Sequence, residues 1–276
     1  MSLVLSSGML LSAADGLTYP AKNPRIGYHN LLTAATTILT STTVPPGMEK
    51  ENLTDYFSWT YWRSANYPAT LTIDAGSAQD VDYVGIAGHT LFSDQSSVKV
   101  EYSTNATTWT ECVSPFYPAS NAPLMFIFSA VTARYFRVTL AAVGGGTLPA
   151  AIGVLNIGQT LVIPHSLYVG HTPITMRKIT DIRPNKTEAG QWIGRSVIRR
   201  GNSASVELTH LSADWYRSNF QEFVDHAINY PYFFSWRPDE YPREVGFGWT
   251  DEDIIPQLTG PGDMMSVSFE ITGIAQ

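Results

Sequence analysis

The chain has 276 residues, 44% of them hydrophobic and only 15% charged, which is enough apolar content for a substantial core and enough length for two domains. Its formal net charge of −7 argues against a general nucleic-acid binder, and its single cysteine, Cys112, excludes an intramolecular disulfide framework or a cysteine-based zinc cluster. Aromatic content of 12%, with 21 Gly and 17 Pro, fits short strands joined by many turns better than a helical bundle.

From Met1 to about Thr43 the pattern is weak: an apolar run, a Tyr19-Pro20 turn, and a Thr-rich stretch compatible with a strand or an ordered loop. No Lys or Arg precedes Lys22, so the basic start of a secretory signal is missing, and no run reaches bilayer-spanning length. The expectation is a chain made and kept in a cytoplasm, or assembled there, with no membrane insertion. Val44-Pro45-Pro46-Gly47 predicts a turn or short linker, and Tyr56 to Ser64 (YFSWTYWRS) is the densest aromatic segment.

Four runs then read as strands: LTIDAG from Leu71, VDYVGIAGH from Val81, VKVEYSTNATTW from Val98 and ARYFRVTL from Ala133. In Val98 to Ser103, Val, Val and Tyr alternate with Lys, Glu and Ser, the period of two expected when one sheet face is buried. Ser103 to Ala106 predicts a hairpin connection, and Trp109 is expected to close one end of a core. An antiparallel β-sandwich is the economical fold.

The order of these motifs resembles a discoidin (coagulation factor C-type) domain over roughly Thr18 to Gly158. The resemblance implies a jelly-roll sandwich in a family that includes binders of sugars, lipids and proteins. In such domains a Trp-x-Ser segment precedes the first long strand, and Trp62-Arg63-Ser64 matches it, placing Trp62 in the core. The neighbouring aromatics, with the loops His89 to Gln95, Ser114 to Asn121 and Ala142 to Pro149, are expected at the loop end of the sandwich. Flat apolar rings there would cover the C–H face of a pyranose while Arg or His binds its hydroxyls. The candidates are Tyr56, Trp59, Tyr61, Arg63, His89, Phe92 and Tyr117. The same aromatics also read as packing that fills a core.

Gly144-Gly145-Gly146 marks a loop, and strand-like segments from Ile152 to Pro164 close a first domain, giving expected domains 1–160 and 161–276. Beyond the boundary the charges segregate. Between Met176 and Gly201 stand Arg177, Lys178, Arg183, Lys186, Arg195, Arg199 and Arg200 against only Asp181 and Glu188, whereas Glu222 to Asp253 holds eight acids against Arg237 and Arg243. Ile174 to Ile182 and Gln191 to Arg200 predict the arms of a basic hairpin with a polar tip. Ser205 to Leu208 predicts a short strand. Ser212 is the expected N-cap of a helix from Ala213 to about Asn229, with Tyr216, Phe220, Phe223 and Ala227 forming one apolar stripe that Val224 and Ile228 widen. Pro231 ends it, and strands are expected over Tyr232 to Pro238, Glu244 to Thr250 and Met265 to Gly273.

The second half resembles phage and prophage tail components that carry a discoidin-like first domain. The fold class is therefore mainly β: a discoidin-like jelly-roll sandwich followed by a tail-tube or distal-tail-like β-sandwich domain with one packed helix. The resemblance implies a tail-tip or baseplate protein of the virion tail, whose partners are itself as a ring-shaped homo-oligomer, other tail or baseplate proteins, and a host surface glycan. Candidate subunit contacts pair the seven basic residues with Asp239, Glu240, Asp251, Glu252 and Asp253, with Trp192, Trp236 and Trp249 supplying binding energy.

No phosphate-cradling loop, dinucleotide glycine fingerprint or paired-histidine metal motif is present, so no catalytic residue, cofactor or metal ligand is assigned. Asp251-Glu252-Asp253 lacks the alternating spacing of an EF-hand loop and reads as a solvated or interface turn. The alternative to the tail reading is a free carbohydrate-binding protein or an accessory module of a glycan-active enzyme. A glycan hydrolase would need a carboxylate pair that neither domain displays.

Overall fold

The computed structural model describes residues 2–5, 22–33, 37–40, 43–167, 170–259 and 263–274, so the expected Tyr19-Pro20 turn lies outside them. In chain order the strands are β1 (Ser2–Leu5), β2 (Arg25–Gly27), β3 (Thr37–Thr40), β4 (Ala69–His89), β5 (Ser96–Ser103), β6 (Thr110–Phe116), β7 (Leu124–Ala142), β8 (Ile152–Gly158), β9 (Leu161–Val162), β10 (Lys178–Lys186), β11 (Trp192–Ser212), β12 (Tyr232–Ser235), β13 (Val245–Thr250), β14 (Gln257–Leu258) and β15 (Met264–Ile274). The fold is mainly β, and its N-terminal part is the expected jelly-roll sandwich.

The sandwich is built on two long strands. β4 and β7 pair antiparallel from Ala69↔Leu140 to Ile86↔Leu124, with register breaks after Asp74 and after Val81. The LTIDAG and VDYVGIAGH runs are thus one strand, and the glycine that ends the first run marks a bulge: Gly76 has φ +77° and donates its N–H to Asp74 Oδ1 at 2.9 Å. β3 lies along the first half of β4 and β5, with β6 beyond it, along the last half of β7, whereas β8 and β1 lie along the opposite halves. The two long strands therefore pass from one layer to the other. Trp62 is fully buried, as expected. Trp109 is not core: it is half-exposed beneath the Arg137 guanidinium, 4.1 Å from its ring, because β6 begins one residue later and turns the indole onto the outer face.

The layer made by β8 and the later half of β4 is buried on both faces, every residue of β8 included. The period of two divides its side chains. Val84 and Ile86 point one way with Phe126, Leu124, Ile157 and Leu155, their register partners. Tyr83 and Gly85 point the other way, toward the C-terminal half.

That half forms an eight-stranded sheet, β10-β11-β15-β13-β12-β2-β9 with β14 beside β15. Strand β2, from the N-terminal segment, pairs with β12 here, so residues 25–27 lie in the second sheet. In β12, Phe233 faces the jelly roll beside its cross-strand partner Phe247, with ring centroids 4.8 Å apart. Tyr232 and Phe234 face the opposite side, where the helix packs. The helix comprises an α-turn (Ala213–Trp215), a π-turn (Tyr216–Phe220) and an α-helical segment (Gln221–Ala227). Ser212 caps it, accepting from the Trp215 N–H at 3.2 Å. The expected stripe is buried, but Ile228 is 53% exposed, because it lies past the last helical turn and faces solvent.

The two halves meet without a gap. A Cβ on Gly85 would lie 2.5 Å from Phe233 Cε2, and one on Gly27 would lie 2.5 Å from Tyr83 Cε2. Around the connection between the halves, Asp82 accepts from the Thr160 N–H (2.6 Å) and Oγ1 (2.9 Å), while buried Arg25 donates to Thr160 Oγ1 at 3.2 Å. Burial raises the Asp82 carboxyl to about 6 and lowers the Arg25 guanidinium.

Gly85→Ala is expected to cost about 1–3 kcal/mol by overpacking, and Phe233→Leu to recover part of that cost in the double variant. Denaturant titration of both single variants and the pair checks this; strictly additive costs would contradict the contact.

Candidate functional site

The aromatic segment crosses one end of the jelly roll at close range. A Cβ on Gly88, whose φ is +60°, would lie 3.0 Å from Ser58 Cβ, and one on Gly153 would lie 3.1 Å from Thr60 O. Only glycines let this backbone lie so close. The segment is pinned at both ends. Asp55 accepts from the Phe57 N–H (2.8 Å) and Thr60 Oγ1 (2.8 Å), and Trp62 exchanges backbone hydrogen bonds with Ile152 at 2.8 and 2.9 Å.

Between these anchors Trp59 stands out into solvent, 70% exposed, its ring stacked on Phe57 with centroids 4.3 Å apart and planes 18° from parallel. Below it is a cleft of about 520 Å³ lined by Trp59, Tyr61, Arg63, Thr90, Asn121 and Pro123, among others. Arg63 is held by Pro149 O (Nε, 2.8 Å) and by Asp94 Oδ2 (Nη2, 2.7 Å). Thr90 Oγ1 donates to the same carboxylate oxygen at 2.6 Å. These contacts use two of the guanidinium's five N–H donors and fix its orientation.

The loops expected at this end do converge. His89 to Gln95 meets Ala142 to Pro149 through Val143 N–H to Gln95 O (2.8 Å), and meets Ser114 to Asn121 through Phe92 N–H to Asn121 Oδ1 (2.9 Å). Of the seven candidate residues, Trp59, Tyr61, Arg63 and His89 line the cleft, and Phe92 and Tyr117 lie next to it.

Two candidates play other parts. His89 is buried and spends both ring nitrogens on the protein: Nε2–H donates to Ala122 O (2.8 Å), and Nδ1 accepts from the Leu91 N–H (3.3 Å). Burial lowers its pKa to about 4, so at neutral pH it is an uncharged loop anchor rather than a hydroxyl ligand. Tyr56 turns away from the cleft, with φ +60°, and packs against Tyr230 and His226 at the end of the helix, with centroids 5.2 and 6.5 Å away. Sequence reasoning does not single out Thr90, Asp94 or Asn121, since a polar residue in a loop carries no periodic signal. Asn121 is reached only as the last residue of an expected loop.

The candidate interface residues lie elsewhere. Lys178, Arg183 and Lys186 are on β10, Arg195, Arg199 and Arg200 are on β11, and Arg177 pairs with Glu270 at 3.1 Å. Every residue of β10 is exposed. Glu240 pairs with Arg237, and Asp251, Glu252 and Asp253 border a polar hollow of about 340 Å³ with Ser205, Ser268 and Glu270. Among the described residues no group of three or more His, Cys, Asp or Glu side chains is placed to hold a metal, and no helix is long and apolar enough to cross a membrane.

Residues 37–152 match the F5/8 type C domain family, so the N-terminal domain is discoidin-like. No curated protein matches the chain. Among solved structures, chitosan-binding module 1 of a chitosanase/glucanase from Paenibacillus sp. IK-5 is similar at 24% identity, covering 48% of this chain and 99% of that module, with a TM-score of 0.41. A carbohydrate-binding module of AlyQ in complex with 4,5-unsaturated mannuronic acid is also 24% identical, covering 44% and 92%, with a TM-score of 0.37. A Clostridium perfringens module in complex with GalNAc-β-1,3-galactose is 15% identical, covering 45% and 95%, with a TM-score of 0.39.

Because the folded-state pKa of His89 lies below its unfolded value, its contribution to stability is complete above about pH 6.5 and is lost as pH falls toward 4. The stability gap between the native chain and a His89→Gln variant is therefore expected to narrow by roughly 3 kcal/mol from pH 7 to pH 4. Denaturant midpoints at both pH values test it; a constant gap would contradict a buried, neutral His89.

Proposed function

We propose that the chain binds carbohydrate, without cleaving it, in the cleft beneath Trp59. One observation carries this reading: an indole held out in water by a pinned loop and backed by Phe57, over a floor of oriented hydrogen-bonding groups. A pyranose has an apolar C–H face and a rim of hydroxyls, and this cleft offers a flat ring for the first and, for the second, the remaining N–H groups of Arg63, the Tyr61 hydroxyl and the second Nδ2–H of Asn121. A lipid chain would want an apolar floor, and these polar groups would lose their water without replacement. The discoidin-like family match supports the reading, since it covers the sandwich whose loops form the cleft. Trp59→Ala is expected to weaken binding to a panel of bacterial and algal polysaccharides by at least about tenfold, while the exposed position keeps the thermal midpoint near that of the native chain. Affinity electrophoresis on the panel, with a reducing-end assay alongside, checks both parts of the proposal. Unaltered retention of the variant would overturn the cleft assignment, and released reducing ends would overturn the non-catalytic one.

A second reading adds an assembly role to the first: a ring-forming component of a phage tail tip or baseplate, in contact with other tail proteins. It is favoured by the β10–β11 hairpin, which carries exposed Ile179, Ile182, Trp192, Ile193, Val197 and Ile198 among its basic residues. Apolar side chains in such a patch are ordinarily covered by a partner. In the ring, this hairpin would lie across the acidic Asp239 to Asp253 region of the next copy, a head-to-tail contact steered by charge. The chain is expected to form oligomers at micromolar concentration that Trp192→Asp with Ile193→Asp returns to monomers. Mass photometry reads this directly, and a native chain that stays monomeric at every concentration would contradict self-assembly.

A further inference from the structure

A second aromatic pair hangs from the same asparagine that lines the cleft. Phe92 and Tyr117 stack with ring centroids 5.9 Å apart and planes 25° from parallel, and they are 44% and 37% exposed. Neither ring lines the cleft itself, but Asn121 does, and its side chain builds the turn that presents Phe92. Asn121 Oδ1 accepts from the Phe92 N–H at 2.9 Å and the Ser93 N–H at 3.2 Å, and Nδ2 donates to Ser93 Oγ at 2.5 Å. Tyr117 closes the pair by donating its hydroxyl to Phe92 O at 3.1 Å. The turn is tied again beneath by Asp94 N–H to Thr90 O at 2.9 Å and Ser96 N–H to Leu91 O at 2.9 Å.

These hydrogen bonds fix the turn that carries the half-exposed phenyl ring, and the stack on Tyr117 restricts the ring itself. A ring fixed in advance loses little freedom when a flat ligand stacks on it, so this arrangement favours binding over packing. It is also continuous with the cleft. Thr90 lies on the cleft wall two residues before Phe92, and Asp94, two residues after it, holds the cleft's Arg63.

We infer that the Phe92–Tyr117 pair is a second sugar subsite adjoining the Trp59 cleft, and that the ligand is an oligosaccharide or polysaccharide engaged through at least two neighbouring pyranose rings. This rests on the carbohydrate reading of the cleft. It adds that affinity rises with chain length.

The test is calorimetric titration of the full chain with glucosamine, mannuronate and the di- and trisaccharides of each. The native chain is expected to bind a trisaccharide about tenfold more tightly than its monosaccharide. In Phe92→Ala and Tyr117→Ala that ratio is expected to fall toward one, and in Phe92→Trp to be retained. A native ratio near one, or a ratio that survives in both alanine variants, overturns the second subsite while leaving the cleft standing. Trp59→Ala separates the two ideas, since it should weaken monosaccharide and trisaccharide alike. If neither the six sugars nor the polysaccharide panel binds with saturation, the cleft reading falls and the subsite with it; the exposed Phe92–Tyr117 pair would then be read as a protein contact.

Discussion

The close approach of Phe233 to Gly85 sets the spacing on which the rest of the molecule depends. At this point the second sheet reaches the jelly roll through a position with no side chain, and a single methyl there would collide with the Phe233 ring. Because the contact is so short, the layer made by β8 and the later half of β4 becomes the middle of the protein rather than one outer wall of a sandwich. It is covered on one side by the jelly-roll core and on the other by Phe233, Val245 and Phe247. Burying both faces removes this layer from water, which is the main source of favourable free energy in a β fold. It also explains why Arg25, Asp82 and Thr160 sit in a low-dielectric seam where a carboxyl is hard to ionise.

The cleft inherits its rigidity from that middle layer. Gly88 is the penultimate residue of β4 and Gly153 the second of β8, and the aromatic segment lies across both. Trp59 is therefore mounted on the buried ends of β4 and β8 even though it projects into solvent. The loops opposite are fixed by their own polar groups: neutral His89 from within, Asn121 from the rim, and the Arg63–Asp94 pair across the floor. A site organised in this way before any ligand arrives would spend little binding free energy on ordering loops.

Much of this was legible in the sequence, for reasons visible in particular residues. The alternation in Val98 to Ser103 and in Phe136 to Leu140 has only one structural meaning, and the Tyr216, Phe220, Phe223, Ala227 spacing fits only a helix face. What escaped depended on contacts distant in the chain. Arg25–Gly27 is too short to show a period, yet it is a strand because β12 and β9 flank it. Tyr232, Phe233 and Phe234 read as one apolar run, and nothing local tells which ring meets the helix and which the jelly roll. Tyr56 and Trp59 belong to one aromatic cluster, but the left-handed backbone at Tyr56 sends them to opposite tasks. His89 looked like a ligand because its hydrogen-bond acceptor, Ala122 O, is 33 residues away.

In the proposed complex, sugar stacks on Trp59 above a cleft carried by the middle layer. The chain has seven tryptophans, so its indole N–H groups give a small, assignable set of nitrogen-correlated NMR signals. The most direct measurement follows those signals while a binding oligosaccharide is added. A saturable shift of the Trp59 signal is expected, with the signal of buried Trp62 nearly still. A shift confined to Trp192 on the hairpin, or saturable binding that leaves Trp59 unmoved, would contradict it.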